Sequence, residues 1–175
     1  MMDPAPVTGP RLALLRRLGF AEVTHDSHVP FLSHLIGTRR VLAEWGSGPE
    51  LCDAGLFHSV YGTEYFDLET EVSRAEVSDL IGARAERLAW LWCTIRRDEI
   101  DPTTGVTVDR HTGAPIVLDP RELGDIATLW AADTVEQLHR MNPDERRFSD
   151  GLTAVLACAS TEARHAAEEC LTALN

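Results

Sequence analysis

Hydrophobic residues recur every three or four positions over most of the chain, which predicts a largely helical protein. Leucines at helical spacing predict a first short helix over residues 11–20, which Gly19 ends. A second helix is predicted to begin near Pro30 and to end at Gly46. The segment GPELCDAGLFHSV reads as a third helix, because Pro49 stands at a natural first helical position.

The remainder of the chain continues this pattern with one interruption. A short helix, a break near Gly82 and a longer, buried helix are predicted over residues 73–97. The segment TGVTVDRHTGAPIVLDP contains two Thr-Gly pairs and two β-branched runs, which predicts a small β-hairpin at about residues 105–118. Helix returns in RELGDIATLWAADTVEQLHRM and in two further helices across residues 146–174, with a break near Ser160.

Length and composition predict one domain over residues 1–175, all-α except for the hairpin insertion. The formal net charge of −12 argues against binding to nucleic acids and to anionic membranes. No apolar run approaches the roughly 18–20 residues that span a bilayer, and the amino terminus lacks the pattern of a secretory signal. We therefore expect a cytoplasmic protein with a small-molecule substrate, no nucleic-acid partner and no membrane partner. The composition also allows a homo-oligomer.

The four cysteines are scattered along the chain and form no CxxC pair. In a chain without a secretory signal, this distribution predicts reduced thiols that are mostly buried as small hydrophobic groups. A zinc site built from thiolates is therefore not expected.

Three polar residues fall on apolar faces of three separate predicted helices. His34 comes three residues after Phe31, His58 four residues after Ala54, and Asp133 lies in the most apolar part of its helix. Taken alone, each histidine is better interpreted as a hydrogen-bonded core residue than as a ligand. A buried carboxylate, however, must bind a cation, pair with a positive side chain or take up a proton, and the chain contains no lysine. We therefore predict that these three residues converge on a divalent transition metal, Mn, Fe or Zn.

The segments that carry these residues, PFLSHL, AGLFHS and LWAADTVEQL, resemble in their order the HD-domain metal-dependent phosphohydrolase superfamily. Within it they resemble the helical hydrolase domain of the (p)ppGpp synthetase/hydrolases. The resemblance covers about residues 25–141 and implies an HD-like helical bundle in which His34, His58 and Asp133 are the metal ligands. The segment GLFHSVYGT is also similar to the hallmark of a bacterial family, a similarity that implies no function.

The chain departs from the pattern of that superfamily at several positions. Ser59 stands where the family has the aspartate of its His-Asp pair, which makes this an HS-for-HD variant. Gly62 and Thr63 replace an acidic pair that positions water in the (p)ppGpp hydrolases, and Glu64 comes one position late. Gln137 falls where that branch has an asparagine near the sugar. The resemblance therefore does not by itself imply the same nucleotide hydrolysis.

Three residues are candidates for moving protons in a reaction, namely His28, Glu64 and Tyr61. His25 and His28 precede the first ligand helix, in a segment that in the family contacts substrate or metal, although a loop or capping role is equally open. Tyr61 follows His58 by three residues and is either a core aromatic residue or a phenol that donates to substrate.

Three functions are compatible with these observations. The first is a metal-dependent enzyme that hydrolyses a small phosphorylated or nucleotide-like molecule, with water activated by the ion. The second is a mononuclear non-haem iron oxygenase that uses the same two histidines and one aspartate. The third is a catalytically inactive, HD-like ligand-binding protein, in which Ser59 marks the loss of a bond to the metal. The predicted set of metal ligands favours the two enzyme functions over the inactive protein.

Overall fold

The computed structural model describes residues 7, 9–23, 30–63, 71–138 and 151–172. The described residues are mostly helical and include one two-stranded antiparallel sheet, which confirms the predicted fold class. The chain divides into two compact units, Met1–Cys93 and Thr94–Asn175. The assignment of the whole chain to one domain stays a prediction. No helix within the described ranges is long and apolar enough to cross a membrane.

Five helices build the first unit, and their ends follow local signals in the sequence. Their bounds are α1 Gly9–Arg17, α2 Phe31–Glu44, α3 Pro49–Phe57, α4 Arg74–Ile81 and α5 Ala83–Thr94. Gly19 and Gly46 follow α1 and α2 with φ angles of 88° and 74°, a conformation that glycine adopts without strain. Pro49 begins α3, and Gly82 separates α4 from α5, as predicted.

The core of this unit is formed by apolar side chains from all five helices and from the α1–α2 connection. Phe20 and Phe31 are almost fully buried, and their ring centroids lie 5.6 Å apart. Leu35 of α2 and Leu56 of α3 are completely buried in the same cluster, and the two helices pack against each other. Because α2 and α3 face the same interior, polar side chains on their inner faces are removed from water.

The second unit contains the hairpin and the last three helices. The strands are β1 Val106–Val108 and β2 Pro115–Val117, and the helices are α6 Pro120–Gln137, α7 Leu152–Val155 and α8 Thr161–Thr172. The strands pair antiparallel with Val106 opposite Val117, which confirms the predicted hairpin. One-turn 3₁₀ segments occupy Arg97–Glu99 and Leu156–Cys158, and the predicted break near Ser160 separates the second of these from α8.

The long helix α6 begins with a complete capping box. The Asp119 side chain accepts hydrogen bonds from the backbone N–H groups of Arg121 and Glu122. The Glu122 side chain accepts one in return from the Asp119 N–H, and Pro120 takes the first helical position. This start sets the phase of a helix whose last two turns carry Asp133.

Candidate metal centre

His58 lies directly after α3 and is buried. The prediction placed it on a helix face, whereas α3 ends at Phe57 and His58 caps it with helical backbone angles (φ −62°, ψ −14°). Its side chain nevertheless remains in the interior, with the residue 2% exposed. The His58 Nδ1 atom is 2.6 Å from the carbonyl oxygen of Gly55. Because a carbonyl oxygen only accepts, Nδ1 carries the hydrogen, and the Nε2 atom of the neutral ring carries the lone pair.

His34 of α2 faces that lone pair. The Nε2 atoms of His34 and His58 are 3.3 Å apart, and the two rings are nearly perpendicular. His34 is itself 4% exposed. Two imidazole nitrogens bound to one tetrahedral zinc ion at 2.0–2.1 Å would be about 3.4 Å apart. The spacing of the two Nε2 atoms therefore fits a divalent ion held through both of them.

Asp133, the third predicted ligand, lies on α6 in the second unit. Its role as a metal ligand stays a prediction. Gln137, one turn further along α6, donates from its side-chain amide to Asp133 Oδ2 at 3.0 Å. The prediction placed Gln137 only by its likeness to an asparagine near a sugar. Its spacing of four residues from Asp133 is the signal that could have indicated this bond.

Helix α5 supports His58 from a distant part of the sequence. The Trp92 ring meets the His58 ring edge-on at 5.5 Å, and Cys93 Sγ donates to the His58 backbone carbonyl at 3.0 Å. On the other side, the Phe31 ring centroid is 5.5 Å from that of His34. These aromatic walls exclude water from the pair and strengthen its electrostatic interactions. The sequence-based prediction did not include the two α5 residues, which follow His58 by more than 30 positions.

Of the three candidates for moving protons, Tyr61 falls within the described residues, whereas His28 and Glu64 lie outside them, as does His25. The Tyr61 hydroxyl donates to Glu86 Oε1 at 3.0 Å. Burial, together with this hydrogen bond and the negative charge of Glu86, raises the pKa of the Tyr61 phenol well above its usual range. Tyr61 is therefore protonated at neutral pH, and its hydroxyl hydrogen is already donated to Glu86.

Ser59 occupies a buried position, with the residue 2% exposed. Its carbonyl oxygen accepts from the Gly62 N–H at 3.0 Å, which closes the turn after α3, and Gly62 has a positive φ of 76°. Thr63 is also buried. The position at which the resemblance expects an aspartate thus lies in the interior rather than at the surface.

Comparisons with known proteins agree with this fold. Residues 14–97, which include both histidines of the pair, match a family described as a domain of unknown function, DUF6817. No curated protein matches the chain. A solved structure described as a metazoan ortholog of SpoT that hydrolyses ppGpp superposes with a TM-score of 0.60, over 98% of this chain and 99% of that chain, at 13% sequence identity. At this identity the likeness concerns the fold alone.

Proposed function

We propose that this protein is a metal-dependent hydrolase that acts on a small phosphorylated or nucleotide-like molecule, and that His34, His58 and Asp133 hold its ion. The observation that carries the proposal is the buried pair of Nε2 atoms at 3.3 Å, with the His58 tautomer fixed by Gly55. The shared fold with a ppGpp hydrolase supports the substrate class.

The ligand types narrow the choice of ion. Imidazole nitrogens with one carboxylate oxygen suit Mn, Fe or Zn better than Ca or Mg. Three protein ligands leave coordination positions open, which is typical of catalytic sites rather than of structural ones. When bound, such an ion lowers the pKa of a coordinated water and polarises a phosphoryl oxygen.

The residues around the set would orient the ligands and exclude water. The bond from His58 Nδ1–H to Gly55 makes the opposite ring nitrogen more basic and fixes its direction. The side-chain amide of Gln137 donates to the Asp133 carboxylate and fixes its direction. We propose His28 and Glu64 for proton transfer. Tyr61 is a third candidate, and its bond to Glu86 must open before its hydroxyl can reach a substrate.

A second candidate function is that of a mononuclear iron oxygenase. It is supported by the ligand set itself, because two histidines and one carboxylate with open positions are characteristic of non-haem iron oxygenases. Because position 59 is a serine, no second carboxylate is available next to His58. Bound iron with oxygen-dependent turnover would favour this function, whereas hydrolysis that proceeds without oxygen would favour the first.

Metal binding is the first test of both proposals. We expect protein purified without a histidine tag to bind about one equivalent of Mn, Fe or Zn. His58→Ala should weaken binding by at least about 100-fold, because it removes a direct ligand. His111→Ala is the matched control, since His111 lies exposed in the hairpin turn. Elemental content and calorimetric titration measure the effect.

Two results would count against the enzyme proposals. If the wild-type protein neither contains nor binds a metal, both enzyme functions fail and the ligand-binding alternative gains. If His58→Ala lowers only the melting temperature while metal affinity is unchanged, His58 is a core histidine. With metal bound, hydrolysis is then assayed against ppGpp, nucleoside di- and triphosphates and phosphomonoesters, with His58→Ala as the inactive reference.

A further inference from the structure

Glu86 of α5 is a buried carboxylate that accepts hydrogen bonds from two other segments of the first unit, the turn after α3 and the start of α4. The residue is 5% exposed. Its Oε1 atom accepts from the Tyr61 hydroxyl at 3.0 Å and from Arg74 Nε at 2.6 Å, and its Oε2 atom accepts from an Arg74 terminal nitrogen at 2.8 Å. A carboxylate this deeply buried is stable as an ion only with such partners. The two-point contact with Arg74 also fixes its orientation.

Arg74 is held in place by more than its charge. It is the first residue of α4, and its guanidinium lies 4.5 Å from the centre of the Trp90 ring. Trp90 comes four residues after Glu86, so both groups that hold Arg74 stand on one face of α5. Arg87 approaches the same ring at 5.1 Å. The carboxylate of Glu86 therefore has a defined direction, which is towards Tyr61.

The turn between His58 and Tyr61 is attached to α5 at both of its ends. At one end, Cys93 Sγ donates to the His58 carbonyl at 3.0 Å. At the other end, Glu86 accepts from the Tyr61 hydroxyl. Glu86 and Cys93 are seven residues apart on the same helix, about two turns. Helix α5 thus contacts the turn at both ends, through the His58 backbone carbonyl and through the Tyr61 side chain.

We propose that Glu86 is a positioning residue for His58. By holding Tyr61, it keeps the turn where His58 Nε2 faces His34. Its importance for a metal rests on the proposed function, whereas its effect on the histidine pair does not. In this role Glu86 acts through Tyr61 and does not need to touch an ion or a substrate.

Histidine ring NMR on the metal-free full-length chain tests the proposal without a metal or an activity. Long-range ¹H–¹⁵N spectra of the wild type should show His58 with its hydrogen on Nδ1. In Glu86→Gln, the His58 and His34 ring signals should shift or broaden. The matched control is Glu76→Gln, because Glu76 forms an exposed ion pair with Arg17 on the neighbouring helix. The control should leave both rings unchanged.

Metal affinity provides the second measurement. Calorimetric titration with Mn²⁺ or Zn²⁺ should show binding weakened by about 10-fold in Glu86→Gln and by less in Tyr61→Phe, with no change in Glu76→Gln. Tyr61→Phe removes one hydroxyl and decides the question if Glu86→Gln does not fold. A variant that unfolds more easily while its histidine signals and metal affinity match the wild type would overturn the proposal. If the wild type binds no metal, the proposed function fails, and the ring spectra still decide whether Glu86 positions His58.

Discussion

The turn after α3 and the two turns that flank strand β1, called here the hairpin turns, each include a glycine with positive φ, yet they are held by different partners. In the turn before β1, the Asp101 carboxylate accepts from the Thr103 N–H and from both the N–H and the hydroxyl of Thr104. Asp109 likewise accepts from the backbone two and three residues later, the second bond coming from the Thr112 N–H. All of these partners are within three residues of the carboxylate. These turns are stabilised by their own sequence.

The turn after α3 instead depends on side chains far along the chain. Tyr61 bonds to Glu86, 25 residues later, and His58 receives the Cys93 thiol, 35 residues later. The partners of the hairpin turns are exposed, whereas Glu86 and Cys93 are buried. A turn that only reverses the chain can therefore be held by local bonds, whereas the turn that carries the buried His58 ring is bonded to side chains far along the chain.

Replacing Ser59 by aspartate should have the largest effect. It places a carboxylate at a site that is 2% exposed, so without metal we expect a loss of about 3–5 kcal/mol in the free energy of unfolding. With metal present, the new ligand should offset much of this loss and tighten binding by at least about 10-fold. Urea unfolding with EDTA and with Mn²⁺ measures both.

Ser33→Asp serves as the control for that change, because Ser33 precedes His34 on α2 and is exposed. It should alter neither stability nor affinity appreciably. If Ser59→Asp unfolds like the wild type in EDTA and binds metal with the same affinity, position 59 lies outside the ligand sphere.

Two glycine substitutions should show whether the hairpin turns depend on contacts with residues outside the turn. Gly105 has a φ of 71°, and a Cβ atom there would overlap the Leu118 carbonyl oxygen. Gly113 has almost the same φ, 72°, with no atom within 4 Å of such a Cβ. We expect Gly105→Ala to cost about 2–4 kcal/mol and Gly113→Ala about 1 kcal/mol, measured by urea unfolding. Metal affinity should stay unchanged in both variants. Equal losses would show that the approach to Leu118 contributes nothing.

The same difference explains how much of the molecule can be predicted from its sequence. Helix limits and the hairpin are predictable because their signals are local, such as Pro49 at the start of α3 and Gly82 between two helices. The pairing of His34 with His58 is also predictable, since His34 falls on the apolar face of α2 and His58 at the buried end of α3.

The support of the site is not predictable in this way. Glu86 lies in the first turn of α5, where an acidic residue is already explained by its favourable interaction with the helix dipole. Nothing in the local pattern indicates that its carboxylate is buried between Tyr61 and Arg74. Cys93 similarly reads as a small hydrophobic residue. Such roles depend on which elements pack together, and that information is spread over the whole chain.

Cys93→Ala should produce a smaller effect on the turn after α3. It removes the hydrogen bond to the His58 carbonyl and a buried sulfur, so we expect about 1 kcal/mol lower stability. Metal affinity should fall by about 3-fold, because His58 keeps its bond to Gly55 and the support from Glu86. Cys158→Ala is the control, since Cys158 is only half-buried and lies in the second unit. An unchanged affinity in Cys93→Ala would show that the thiol does not help to aim His58.

The smallest effect should come from acid acting on the hairpin. Hydrogen bonds from the backbone N–H groups of Thr112 and His111 hold the pKa of Asp109 below its usual value. Because the pKa is lowered in the folded state, the stabilisation by Asp109 is complete above the usual pKa and is lost as the pH falls through the lowered one. A ¹³C carboxyl titration should find this lowered pKa, and the Thr112 amide signal should shift with it. Asp109→Asn should abolish that shift. A titration at the ordinary aspartate value would mean that these local bonds do not stabilise the turn, and the contrast with the turn after α3 would then fail.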